Sequence, residues 1–144
     1  MDAVDLRDAG FLKYIRTARR YFCDRYKIGP ADFELLLYLD AMKRFTRKEW
    51  KLGAYTYSWD KHRWLRFMKD DWIEVFRNGN RKGGKANIYQ LTHKGKLMIG
   101  RFYRVLAGEE DLPMTDRNPY YFETSYKKKT MTKAIDEMNK DLDR

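Results

Sequence analysis

The chain has 144 residues, with 31 Lys and Arg against 21 Asp and Glu, 43% hydrophobic residues and a single cysteine. That is the size of one ordinary domain, and it is too apolar and too aromatic for a disordered protein. No apolar run approaches the ~18 residues of a membrane span, the acidic start Met1–Asp5 lacks the basic and apolar regions of a signal peptide, and Cys23 cannot form an internal disulfide. A reducing, cytoplasmic setting is therefore expected.

The charge is uneven along the chain. Residues 43–104 hold 17 Lys and Arg against 5 Asp and Glu, whereas 1–42 are balanced at 7 each and 105–144 hold 7 against 9. The whole formal excess of +10 thus falls in the middle segment. A basic surplus confined to one stretch points to an anionic partner for that stretch.

In chain order, Phe11, Tyr14, Ile15, Ala18, Tyr21, Phe22 and Tyr26 fall on one stripe and predict a helix over 11–26. Cys23 lies inside this segment and reads as a packed cysteine, with a redox sensor as the alternative. Ile28-Gly29 breaks the helix, and Pro30 suits the first turn of a second, mostly buried helix carrying Phe33, Leu36, Leu37 and Leu39 to Met42. Thr46 and Glu49 form a capping box for a short third helix ending near Leu52-Gly53, with Phe45 and Trp50 placed for a hydrophobic staple. After a turn over 54–57 with Ser58 as N-cap, a basic helix is expected over 59–70. Trp64, Leu65 and Met68 are expected to face inward. Trp59, His62, Arg63, Arg66 and Lys69 are expected to face outward.

Trp72 to Arg77 reads as a strand, 78–85 as a Gly-rich basic turn, and Ala86 to Leu91 as the return strand. Thr92 caps a helix from His93 to about Leu106. Residues 108–125 read as a linker with an acidic run, two prolines and the aromatic cluster Tyr120-Tyr121-Phe122. Met131, Ala134, Ile135, Met138 and Leu142 predict a final amphipathic helix from about Tyr126, which would dock on its own chain or on a partner.

The fold class expected is mainly α with a small β-hairpin wing (α+β): a winged helix-turn-helix over 28–106, flanked by an N-terminal helix (1–27), a linker (107–125) and a C-terminal helix (126–144). This is a DNA-binding architecture. The candidate DNA-binding residues are Lys48 and Lys51 on the short helix, Trp59, His62, Arg63 and Arg66 on the basic helix, and Arg77, Arg81, Lys82 and Lys85 in the wing.

Catalytic chemistry finds no footing. Gly79 to Lys85 resembles a phosphate-binding P-loop, but Ala86 stands where Ser or Thr would reach a metal ion, and a strand pattern follows instead of a helix. His62 and His93 stand on separate elements without partners at metal-ligand spacing. No cofactor, metal or enzymatic activity is expected.

From Asp71-Trp72-Ile73 through Leu91-Thr92-His93-Lys94-Gly95-Lys96 the sequence resembles the MarR family of winged-helix transcription regulators. Leu91, Thr92, Gly95 and Lys96 match the family's Leu-Thr-x-x-Gly-(Lys/Arg) helix start, a signature shared with the PadR-like group. The resemblance covers about residues 11–106. It departs at Asp71, where the family usually has Gly, and at Asn80-Arg81-Lys82, where the wing usually carries Asp-x-Arg. It implies a homodimer joined by N- and C-terminal helices, double-stranded DNA as partner, transcriptional regulation as the role, and in many members a small aromatic ligand. The alternatives are a winged-helix protein-interaction module within a larger transcription or viral assembly, docked through Tyr120 and the last helix, and sequence-independent nucleic-acid binding.

Overall fold

The computed structural model describes residues 2–54, 60–80, 82–113, 118–120 and 126–142. The elements, in order, are α1 (Ala3–Ala9), a 3-10 turn (Phe11–Tyr14), α2 (Ile15–Tyr26), α3 (Pro30–Met42), β1 (Arg44–Phe45), α4 (Arg47–Ala54), α5 (Asp60–Lys69), β2 (Ile73–Arg77), β3 (Ile88–Leu91), α6 (His93–Leu106) and α7 (Tyr126–Leu142). The protein is a mainly helical α+β chain with a winged-helix layout. Among the described residues, no helix is long and apolar enough to cross a membrane. The chain divides into two compact units, 31–99 and 1–30 with 100–144.

The first unit holds the winged-helix elements. Its sheet is antiparallel in the order β1-β3-β2. Arg44 pairs Gln90 and Phe45 pairs Tyr89, while Ile73, Glu74 and Val75 pair Leu91, Gln90 and Tyr89. A bulge between Val75 and Arg77 shifts the register before the wing. The short strand β1 is not legible as a strand in the sequence, because two residues are too few to display a period of two.

The helices follow from local chemistry. Thr46 Oγ1 accepts from Glu49 N at 3.3 Å, and Glu49 Oε1 accepts from Thr46 N at 3.2 Å, closing the expected capping box of α4. Phe45 and Trp50, the pair placed for a staple, are both buried. Phe45 stacks on Tyr89, with centroids 6.2 Å apart. Trp50 packs edge-on against Trp64 at 5.0 Å and Phe67 at 5.2 Å. Trp64 in turn meets Tyr89 at 4.7 Å. One aromatic chain therefore joins α4, α5, β3 and β1.

That chain fixes the rotation of α5, and here the structure corrects the expected helix face. The inward row is Arg63, Trp64 and Phe67, not Trp64, Leu65 and Met68. Leu65 is 54% exposed and Met68 36%, while Phe67 is fully buried. The difference is one residue of phase, about 100° of rotation. Likewise, on α3 Leu35 belongs to the core, while Ala41 is exposed and Met42 half-buried.

The Leu91-Thr92-x-x-Gly95 signature has a plain structural role. Leu91 is buried. Thr92 Oγ1 accepts from Gly95 N at 3.2 Å, as the N-cap of α6, and donates to the Asp71 carbonyl at 2.6 Å. A Cβ on Gly95 would lie 3.0 Å from the Trp72 carbonyl, so a side chain there would require a local shift of a few tenths of an ångström. Asp71 itself takes φ 63°, the left-handed conformation that glycine adopts at no cost and that Asp tolerates.

The second unit joins the two ends of the chain. Asp2 and Asp5 cap α1 reciprocally, and Gly10 at φ 72° ends it, so the expected single helix over 11–26 is preceded by a short helix and opened by a 3-10 turn. Phe22 meets Phe102 edge-on, with centroids 6.0 Å apart. Met131, Ile135 and Met138 are buried on the face of α7 that packs on α2. Asn139 brackets the Leu112 backbone, accepting from its N at 3.1 Å and donating to its O at 3.0 Å. Tyr120 is buried and donates to the Asp24 carboxylate. Cys23 is buried as well, in keeping with a packed role. Tyr121 and Phe122 lie outside the described residues.

Trp50→Ala should cost about 3–5 kcal/mol, since it removes a fully buried ring from the centre of the aromatic chain. Leu52→Ala, at a side chain 62% exposed on the same helix, should stay within about 0.5 kcal/mol. Urea unfolding followed by tryptophan-independent circular dichroism measures both.

Candidate nucleic-acid interface

The candidate residues all belong to the unit 31–99. Lys48 and Lys51 are exposed on α4, one turn apart from each other. His62 is exposed on α5 beside Lys61, and Lys69 is exposed at its C-terminal end, where a cation suits the helix dipole. Trp59 and Arg81 lie outside the described residues, as do Ser58 and residues 55–57 of the expected turn at 54–57, whose first residue, Ala54, belongs to α4.

Arg63 is not placed as expected, and Arg66 faces outward but is held on one side. Asp32, in the first turn of α3, takes both. Arg63 Nε donates to Asp32 Oδ1 at 2.6 Å, and Arg66 Nη2 donates to Asp32 Oδ2. The Arg63 side chain is only 16% exposed, and Arg66 remains about half exposed. Each carboxylate oxygen is used by one guanidinium, so a single buried acid holds α5 against α3 through two charge-assisted bonds. The expected outward face therefore loses Arg63 to an internal pair. Arg66 is shared between that pair and solvent. Sequence reasoning missed Asp32, whose only signal was an isolated acid near the start of an apolar helix.

The wing is built from backbone to tip. Gly79 N donates to Asn87 Oδ1 at 2.7 Å, tying its two stems. A Cβ on Gly79 would collide with the Lys85 carbonyl, which accounts for the glycine. At the tip the Asn80 carbonyl accepts from Gly83 N at 3.1 Å and Lys85 N at 2.9 Å, while its side chain accepts from Lys82 N at 3.0 Å. This folded turn leaves the Lys82 and Lys85 side chains exposed. The strand after it, β3, begins at Ile88, two residues later than expected, because Asn87 is spent on the turn. Arg77 is exposed at the end of β2, its guanidinium 5.8 Å from the Phe76 ring. Two further basic residues escaped the sequence reading. Arg44 lies 3.8 Å over the Phe76 ring from β1, and Arg47 lies 4.3 Å over Trp64.

The sheet face that carries Arg44, Gln90 and Glu74 borders a cleft of about 430 Å³, lined by Asp40, Lys43, Arg44, Gln90, Leu91 and Lys96. Burial raises the Asp40 carboxyl above its ordinary pKa, opposed by the charge of Lys96. Among the described residues, no group of three or more His, Cys, Asp or Glu is arranged to hold a metal ion.

Asp32→Ala should cost about 2 kcal/mol of stability, since it removes the carboxylate acceptor of the mostly buried Arg63 while Arg66 regains solvent. Asp40→Asn should act the other way. A carboxyl whose folded pKa is raised costs stability when ionised, so the substitution should raise the urea midpoint at pH 7. The gain should fade as pH drops below about 4, where the native carboxyl is protonated in both states.

No protein family, curated protein or solved structure matches this chain, so its function must be argued from the residues and geometry described above.

Proposed function

We propose that the chain is a DNA-binding transcriptional regulator that presents α5 to the major groove and the β2–β3 wing to phosphates or the minor groove. The observation that carries this reading is the coincidence of three features in one unit. The element order α3-β1-α4-α5-β2-β3 with sheet order β1-β3-β2 is that of a winged helix. The basic surplus falls on the same residues. The cations at the wing tip and along the exposed edges of α4 and α5 stand in solvent, at Lys48, Lys51, Lys61, Lys69, Lys82 and Lys85. Cations so arranged neutralise phosphates and release their counterions on binding.

A cytoplasmic homodimer belongs to this proposal. In its support, α1 buries none of its residues, and Val4, Leu6 and Leu12 stand exposed near the N-terminus. A dimer would read a palindrome with half-sites about 10 base pairs apart. Sequence-independent binding is the second reading. It is favoured by the engagement of Arg63 and Arg66 with Asp32, which leaves fewer forked donors for base edges. Tyr120 and the apolar stripe of α7 are buried in their own unit, which weighs against docking through them, whether on another protein or on a second copy, and leaves the N-terminal residues as the support for a dimer.

Fluorescence anisotropy with random duplex at two salt concentrations, followed by duplexes enriched by selection, tests the reading. Salt-sensitive binding with enrichment of a palindrome is expected. Binding without enrichment would favour the second reading, and no binding at low salt would end both. The double variant Lys82→Ala, Lys85→Ala should weaken binding to every sequence and reduce the slope of log affinity against log salt by about 1–2.

A further inference from the structure

The solvent face of α5 is not the arginine-rich face that its sequence suggests. With Arg63 turned inward, the exposed residues are Lys61, His62, Leu65, Arg66, Met68 and Lys69, and Arg66, half exposed, is held by Asp32 through one nitrogen. Leu65 and Met68 lie three residues apart and so adjoin on the helix surface. A single exposed leucine needs no explanation. Here two large apolar side chains adjoin at the middle of the helix face, flanked by the Asp32-held Arg66, with Lys61 and His62 toward one end and Lys69 toward the other.

An apolar centre between cationic ends matches one feature of double-stranded DNA. The major-groove edge of thymine carries a C5-methyl group, the apolar element in the groove code, and phosphate rows run along both rims. Guanine, by contrast, is read by a forked pair of donors. Arg63 gives Nε and Arg66 gives Nη2 to Asp32, so neither arginine of this helix offers its whole fork. We propose that Leu65 and Met68 are specificity-determining residues that contact thymine methyl groups, so that the preferred site carries thymine at the positions under the middle of α5. This rests on the DNA-binding reading above. Lys61 and Lys69 supply phosphate contacts at either end, and the apolar pair supplies the sequence preference.

The experiment uses the full chain and the duplex enriched by selection from a random pool. Each thymine is replaced in turn by deoxyuridine, which keeps the pairing and removes only the C5-methyl. Burying one methyl against an apolar side chain is worth about fourfold in affinity. Affinity should fall by about that factor at one or two adjacent positions per half-site and nowhere else. Leu65→Ala and Met68→Ala, with unchanged circular dichroism, should bind the thymine and uracil duplexes equally. A selected duplex that binds tightly and tolerates uracil at every position overturns the proposal while leaving the DNA-binding reading intact. A chain that binds no duplex at low salt overturns both, and leaves the apolar pair to a protein partner. The uracil series needs no variant, so its outcome does not depend on whether either substitution folds.

Discussion

The packing of Trp50 against Trp64 and Phe67 is the constraint on which the unit 31–99 depends. Trp50 is fully buried, and a tryptophan carries one of the largest apolar areas a residue can remove from water. Its two edge-on contacts come from successive turns of one face of α5, so they set the angle at which that helix lies as well as its position. From Trp64 the contacts run on to Tyr89 and from Tyr89 to Phe45, which brings the sheet into the same core. A helix held at two points a turn apart cannot rotate without losing both rings. The identity of its solvent face is therefore a consequence of core packing, and is not set by its own charge pattern.

The Asp32 clamp follows from that rotation. Once Trp64 and Phe67 point inward, the preceding position, Arg63, is carried toward α3 with them. A guanidinium brought so far out of water needs an acceptor, and Asp32 supplies one to Arg63 and another to Arg66. The planar guanidinium suits this role better than an ammonium would, because two of them can each address one carboxylate oxygen. Pairing with two cations, and lying in the first turn of α3, compensates the acid for its own burial. Stability and surface chemistry are thus coupled at one residue: the charges that hold α5 to α3 are withdrawn from the face that would meet a ligand.

What could be read from the sequence was what local chemistry decides. The Thr46–Glu49 box, the Thr92 cap with Gly95, the glycine-built wing and the apolar stripe of α7 each announce themselves within a few residues, and each forms. What could not be read was what distant residues decide. The strand Arg44–Phe45 exists because β3 returns beside it, some 45 residues later. Asp32 finds Arg63 and Arg66 across more than 30 residues of chain. The phase of α5 fell between the two. The sets Trp64-Leu65-Met68 and Trp64-Phe67 both satisfy helical spacing, and only the partner ring of Trp50 distinguishes them. The helix at Ala3–Ala9 is a different case. The reciprocal Asp2–Asp5 cap was present in the sequence as a signal, hidden by the absence of any apolar stripe.

The same coupling changes how the net charge should be weighed. Counted from the sequence, residues 59–70 look like a cationic helix, and a cationic helix by itself argues only for phosphate attraction. Taken with the Asp32 clamp, the freely exposed cations of α5 reduce to Lys61 and Lys69 near its ends, with Arg66 half exposed beside Leu65, while the wing lysines stand exposed. On the proposed DNA-binding reading, non-specific attraction and sequence preference would be separable on the molecule. The first would belong to the wing and the helix ends, where charges remain hydrated and respond to salt. The second would belong to the apolar centre of α5, whose contribution depends on buried methyl surface and is insensitive to ionic strength. On the proposed reading, a helix that shares its arginines with Asp32 would discriminate among sequences through the apolar part of the groove code.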